Sequence, residues 1–186
     1  MTPAAYLVSA RRIPGARKGG RLAAWHPADL AACVIEAVVA EAGADPAAID
    51  DVILGCVSQV GEQASNIARM AVLASGLPEQ VPGTTVDRQC GSSQQALHFA
   101  VQAVLAGSQD LVLAGGVESM TRVPMFSPNA LAARAGLGDA VSPAVRRRFG
   151  VEGFSQFSGA EQLARRHGLD RGRLDAYALQ SHRRAH

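Results

Sequence analysis

Two short, almost uninterrupted apolar runs constrain this chain most: Asp51 to Val57 (DVILGCV) and Asp110 to Ala114 (DLVLA). Runs of this length, with β-branched residues and little polar alternation, suit strands covered on both faces, as in parallel sheets flanked by helices. Helical periodicity fills the segments around them. Leu30, Cys33, Val34, Ala37 and Val38 fall at i, i+3, i+4, i+7 and i+8 behind Pro27 and Asp29, and Gly43 ends the stretch. Ile67, Met70, Ala71 and Ala74 mark a second helix within 66–74, with Gly76 beyond its end. A third covers about Gly91 to Leu105, and its apolar arc is wide enough for burial on more than one side. Ala5 to Ala10 (AYLVSA) predicts a first strand, and Thr84 to Val86 a short β-prone segment. Strands alternating with helices predict an α/β layered fold with a largely parallel sheet. On this reading Cys33 and Cys56 belong to the core.

After Glu118 the pattern changes. Residues 121–159 are rich in Pro, Gly and Arg without a sustained period, and two helices follow, over Ala160 to His167 and Arg171 to Ala185. A boundary near residue 119 therefore separates an α/β domain, 1–118, from a loop-rich, partly helical part, 119–186. Charge divides at nearly the same place. Residues 1–120 hold 7 basic against 11 acidic side chains, and residues 121–186 hold 11 against 5. The basic part is either a solvated arginine-rich surface or a site for an anionic ligand such as a nucleotide phosphate. Nucleic acid fits less well, because no aromatics interleave the basic residues and no reading module is present.

Hydrophobic residues at 48% and charged residues at 18% permit a packed core and argue against wholesale disorder. Three cysteines in a chain of 186 residues make no disulfide framework. No apolar stretch approaches a membrane span, and no secretory pattern opens the chain, so the expected setting is cytoplasmic.

Chemistry concentrates in Val86-Asp87-Arg88-Gln89-Cys90-Gly91-Ser92-Ser93. A β-prone segment ends, a cysteine appears, and small residues start a helix. A thiol at a helix N-terminus lies among unpaired N–H groups at the positive end of the macrodipole, which favours thiolate and sharpens its nucleophilicity. The same N–H groups can stabilise an oxyanion beside the sulfur. These residues alone fit a reactive Cys90 or an ordinary half-buried thiol. No base is legible. His98 lies eight residues further along the same helix, about 12 Å away at about 1.5 Å per residue. His26 falls in a loop, and His167, His182 and His186 fall on polar faces. Gly115-Gly116 starts no phosphate-loop pattern and reads as a strand-end turn, and no Cys or His spacing suits a metal.

The segment Thr85 to Ala96 (TVDRQCGSSQQA) resembles the nucleophile segment of thiolases, the acyl-CoA acetyltransferases. Gly115-Gly116-Val117-Glu118-Ser119-Met120 resembles the Gly-Gly-x-Glu-Ser-Met segment of the same family. Ile13-Pro14, Asn66-Ile67-Ala68-Arg69, Gly76-Leu77-Pro78, Gly159 to Ala164 and Leu174 to Ala185 also resemble thiolase segments, in order, across essentially the whole chain. The resemblance implies one αβα half of an αβαβα arrangement, with a loop domain after Gly-Gly-x-Glu-Ser-Met. It implies Cys90 as the acyl-accepting nucleophile, with its backbone N–H in an oxyanion hole. It implies coenzyme A or acyl-CoA as substrate, held by a loop domain that includes Ser155, Gln156 and Ser158, with no tightly bound cofactor. Homo-oligomers are also expected.

Two departures bear on these roles. Thiolases place a catalytic His in a Gly-His-Pro segment and a second catalytic Cys in a Cys-x-Gly-Gly segment, both in their second half, and neither occurs here. A C-terminal thiolase half, from the same gene or a separate chain, is therefore the expected partner. Ser155-Gln156-Phe157-Ser158 also stands where many thiolases have His-Met-Gly-Thr or Met-Gly-x-Thr lining the pantetheine channel. The competing functions are a non-catalytic CoA-binding or interaction module and a related ketoacyl synthase. Gly-Gly-x-Glu-Ser-Met and the loop-domain helices oppose the synthase.

Overall fold

The computed structural model describes residues 4–185, which form two compact units, one ending at Leu137 and one starting at Gly138. In the first, helix α1 spans Pro27–Ala42. Its start is fixed by His26, whose Nδ1 accepts the Ala28 N–H at 3.2 Å, and by Pro27 in the first turn. Gly43 ends it at φ 61°, a conformation that costs glycine little. Strands β1 (Asp51–Gly55), β2 (Gly83–Val86) and β3 (Val112–Gly116) form a wholly parallel sheet in the order β2-β1-β3. Helix α2 (Ile67–Ala74) connects β1 to β2, and α3 (Ser92–Leu105) connects β2 to β3.

Burial along β1 explains the layering. Val52 and Leu54 pack on one face with Ala31, Ile35 and Val39 of α1 and Ala68, Ala71 and Val72 of α2. Ile53 points the other way, against Ala96 and Ala100 of α3. Alternate residues of a strand face opposite sides, so a continuous apolar run serves two cores at once. The result is the αβα layering expected from sequence.

Several expectations need correction. Cys33 is exposed on α1, because the buried arc follows Leu30, Ala31, Ile35 and Val39. Strand β3 begins and ends two residues later than expected and includes both glycines. The carboxylate of Asp50 takes the N–H groups of Asp110 and Leu111, and these residues form the entry to the strand. Ala5 to Ala10 forms no ladder with any described residue, and Tyr6, Leu7 and Val8 are exposed. β-propensity needs a neighbouring strand to supply hydrogen bonds. Helix α3 is buried along one stripe only, leaving Leu97, Val101 and Leu105 exposed.

Helix α4 (Ser127–Arg134) closes the first unit. The second contains α5 (Pro143–Phe149), α6 (Gln156–Arg166) and α7 (Arg171–Ala185). Periodicity missed α4 and α5 because they are too short to show it. Helix α5 has capping signals in sequence: Ser142 accepts the Val145 N–H, Pro143 follows, and Gly150 ends it at φ 63°. Phe149 and Phe154 meet edge to face at 5.5 Å, with the Arg148 guanidinium over Phe149. Among the described residues no helix is long and apolar enough to cross a membrane.

Candidate active site

All three strands run parallel, so their C-terminal ends gather at one edge of the sheet. In open α/β sheets this edge is where ligands bind. Strand β2 leads into Asp87-Arg88-Gln89-Cys90, β1 into Cys56-Val57-Ser58, and β3 into Val117-Glu118-Ser119.

The turn carrying Cys90 is tightly fixed. Asp87 Oδ1 accepts the Gln89 N–H at 2.7 Å. Ser92 Oγ accepts the Arg88 N–H at 3.0 Å and donates to the Gln89 carbonyl at 2.6 Å. The Gly91 N–H donates to the Arg88 carbonyl and the Ser92 N–H to that of Gln89. These bonds hold Gln89 at φ 48°, a left-handed conformation that costs a non-glycine residue of order ~1–3 kcal/mol. Strain is localised immediately before the cysteine. Cys90 is exposed, one residue ahead of the Gly91 cap of α3. The N–H groups of Cys90, Ser93 and Gln94 donate to no group among the described residues. An open sulfur thus stands beside unpaired donors at the positive end of a helix.

Glycines decide how closely α3 approaches the sheet. A Cβ on Gly55 would lie 2.3 Å from Ser92 C and Ser93 N, and one on Gly116 would lie 2.7 Å from Ser93 Cβ. The first turn of α3 therefore rests directly on the ends of β1 and β3. Gly83 does the same for α2, where a Cβ would come 2.8 Å from Arg69 N. Asn66, itself at φ 61°, caps α2 through Arg69 N–H, donates to the Gly83 carbonyl at 2.7 Å, and accepts the Thr85 hydroxyl at 2.8 Å. This ties the strand leading to Cys90 to the helix before it.

Cys56 contrasts with Cys90. It is 1% exposed, and burial, with the negative charges of Glu118 and Asp87, pushes its thiol up to about 12. It remains a protonated core thiol, as expected from sequence. His98 is exposed on α3, and His26 serves as a helix cap. No histidine is hydrogen-bonded to Cys90 in the described residues.

Ser155, Gln156 and Ser158 belong to the second unit. Ser155 caps α6, its Oγ accepting the Ser158 N–H at 3.4 Å, and Gln156 is the first helical residue. Phe157, Ser158, Glu161, Gln162 and Arg165 line a shallow depression of about 330 Å³ on this helix. The residues sequence reading passed over are Gly55, Gln63 and the carboxylate of Glu118. Two glycines before an acidic residue at a strand end signal Glu118. Nothing local marks Gln63, whose full burial depends on contacts distant in sequence.

Comparison with known proteins gives a consistent result. The family model described as the thiolase N-terminal domain matches residues 5–186. A steroid 3-ketoacyl-CoA thiolase of Mycobacterium tuberculosis is 44% identical over 97% of this chain and 45% of its own length. A 3-oxoadipyl-CoA/3-oxo-5,6-dehydrosuberyl-CoA thiolase of Escherichia coli is 40% identical over 97% of this chain and 47% of its own length. The chain thus spans about half the length of the curated relatives it matches. The crystal structure of the Bacillus anthracis acetyl-CoA acetyltransferase superposes with a TM-score of 0.53 at 41% identity, covering 55% of this chain and 26% of that one.

Proposed function

The chain belongs to the thiolase family through its amino-terminal domain, and from that premise we propose that Cys90 is the acyl-accepting nucleophile of an acetyl-CoA C-acyltransferase. The supporting observation is the open Cys90 thiol on a strained turn, beside unpaired N–H groups at the start of α3. The sulfur attacks the 3-keto carbonyl of a 3-ketoacyl-CoA, where the C2–C3 bond breaks and acetyl-CoA departs with the thiol proton on its C2, or the thioester carbonyl of an acyl-CoA. In acyl transfer from acyl-CoA the carbon–Sγ bond forms, the bond to the coenzyme A sulfur breaks, and the thiol proton ends on the departing thiol. The Cys90 N–H faces the oxygen that becomes negative, where a pre-positioned donor is worth about 3–4 kcal/mol. The overall reaction is 3-ketoacyl-CoA thiolysis or the reverse Claisen condensation, by a ping-pong route through acyl-Cys90.

The remaining catalytic groups, a Gly-His-Pro histidine and a Cys-x-Gly-Gly cysteine, come from a C-terminal thiolase half carried by the same polypeptide or a second chain. The exposed Leu97, Val101 and Leu105 stripe on α3 supports this, since a helix apolar on two sides needs a second apolar layer. Residues 119–186 act as the loop domain, with the basic surface and Ser155, Gln156 and Ser158 contacting coenzyme A. The protein works in the cytoplasm as a homo-oligomer. A second reading, a CoA-binding module without catalysis, draws on the lack of a histidine partner for Cys90 among the described residues.

Mass spectrometry after incubation with acetyl-CoA, in the presence of the C-terminal half, decides between them. Acetyl-Cys90 should appear and be absent from Cys90→Ser. An unmodified Cys90 with coenzyme A still bound would leave only the module.

A further inference from the structure

The ends of β1 and β3 are joined by a closed set of hydrogen bonds that the chemistry above does not use. The carboxylate of Glu118 accepts the Val57 N–H at 2.8 Å on one oxygen and the Ser58 N–H at 2.9 Å on the other. The side-chain amide of Gln63 donates to the Ser58 carbonyl at 2.9 Å and to Glu118 at 3.3 Å, and its oxygen accepts the Ser119 N–H at 2.7 Å. The Val117 N–H donates to the Gly55 carbonyl at 3.0 Å, extending the ladder by one bond. Gln63 is fully buried and Ser58 nearly so. One carboxyl side chain and one amide thereby satisfy three main-chain N–H groups and one carbonyl from segments some 60 residues apart in the sequence.

These strand ends are the seat of the Cys90 turn. Gly55 and Gly116 lie directly under Ser92 and Ser93, and the Cys56 N–H donates to the Val86 carbonyl, immediately before Asp87. A shift of the 57–58 loop or of 117–119 therefore moves the support of α3's first turn. We propose that Glu118, working with Gln63, is the positioning residue of the nucleophile: its carboxylate locks the β1 and β3 ends together so that the Cys90 turn keeps its strained geometry. Glu118 acts through main-chain amides and does not touch the reacting atoms. A carboxylate suits the role because it only accepts, and two convergent N–H groups require two acceptors.

This inference rests on Cys90 being the nucleophile, and it can fail separately because the chain carries its own reporters. Cys33 is exposed on α1, Cys56 is buried behind the Glu118 loop, and Cys90 is exposed at the site. The experiment is iodoacetamide labelling of the native protein, followed by peptide mapping at each cysteine. Glu118→Gln keeps the side chain's length but turns an NH2 toward a backbone N–H. Ile49→Ala serves as the control, since it loosens the core ahead of β1, at the end of the sheet away from Glu118 and Cys90. Urea is used to bring the two variants to equal stability. The expected result in Glu118→Gln is at least tenfold faster labelling of Cys56, at least fivefold slower labelling of Cys90, and Cys33 within twofold of wild type. The control should show neither change. Gln63→Ala, measured in the same way, should reproduce the pattern if Glu118→Gln does not fold. Equal Cys56 and Cys90 rates in variant and control would overturn the proposal. A normal labelling pattern without acyl transfer from acetyl-CoA would instead count against the proposed function.

Discussion

At the residue scale, two glycines of the same sheet make opposite demands. Gly55→Ala would drive a methyl group into the main chain of Ser92 and Ser93. Overpacking of this kind costs about 1–3 kcal/mol, and here it also displaces the turn that carries Cys90. Urea unfolding should show that loss, together with slower alkylation of Cys90. Gly115→Ala meets only Leu54 Cδ2 at 3.6 Å, an ordinary contact, and should change neither measurement appreciably. Cys56 supplies a pH signature. Its thiol is raised to about 12 in the fold, first by burial and then by Glu118 and Asp87. The unfolded chain releases that proton near the ordinary thiol range, so its contribution to stability is complete below about pH 8.5 and is lost as pH rises toward 12. Urea midpoints measured between pH 8 and 11 should decline in wild type and decline less in Cys56→Ala.

At the scale of elements, Asp50 staples β1 to β3. Its carboxylate accepts the N–H groups of Leu111 and Asp110, and these bonds hold it below the usual carboxylate range. A depressed carboxylate contributes stability above its unfolded value, about 3.9, and loses that contribution as pH falls through its lower folded value. Asp50→Asn should therefore be less stable than wild type at pH 7 and converge with it in acid, as thermal unfolding across that range will show. Helix α3 shows how an element can be right in sequence and incomplete in space. Its start, length and inner stripe of Ser92, Ala96 and Ala100 agree with its periodicity, while Leu97, Val101 and Leu105 remain about 40% exposed. Leu97→Glu with Val101→Lys should reduce self-association of the 186-residue chain in sedimentation experiments. The same pair should weaken capture of a C-terminal thiolase half.

At the scale of the whole molecule, the chain holds a packed αβα unit with Cys90 at its sheet edge and a second, basic helical unit. Helices of the second unit have no buried residues, so caps and local ion pairs, such as Arg146 with Asp139 and Glu152, define them rather than a core. Exposed pairs contribute about 0–1 kcal/mol each, which makes this unit the softer one. Hydrogen exchange should find α5 to α7 unprotected well before β1 and α2.

The sequence by itself determined the α/β class, the bounds of α1 and α7, and the placement of Cys90 just ahead of a helix. Apolar period, capping residues and turn chemistry are local, and they need no distant partner to be read. Tertiary structure alone decided that Cys33 faces solvent and that Ala5 to Ala10 forms no strand. It also showed that Gly115-Gly116 lies within a strand and that Gln63 and Glu118 bind two strand ends together. Each of these depends on what lies across space from a residue: a neighbouring strand, a helix backbone at contact distance, or an amide some 60 positions away. Such contacts arise only when the sheet closes, so no local pattern in the chain announces them.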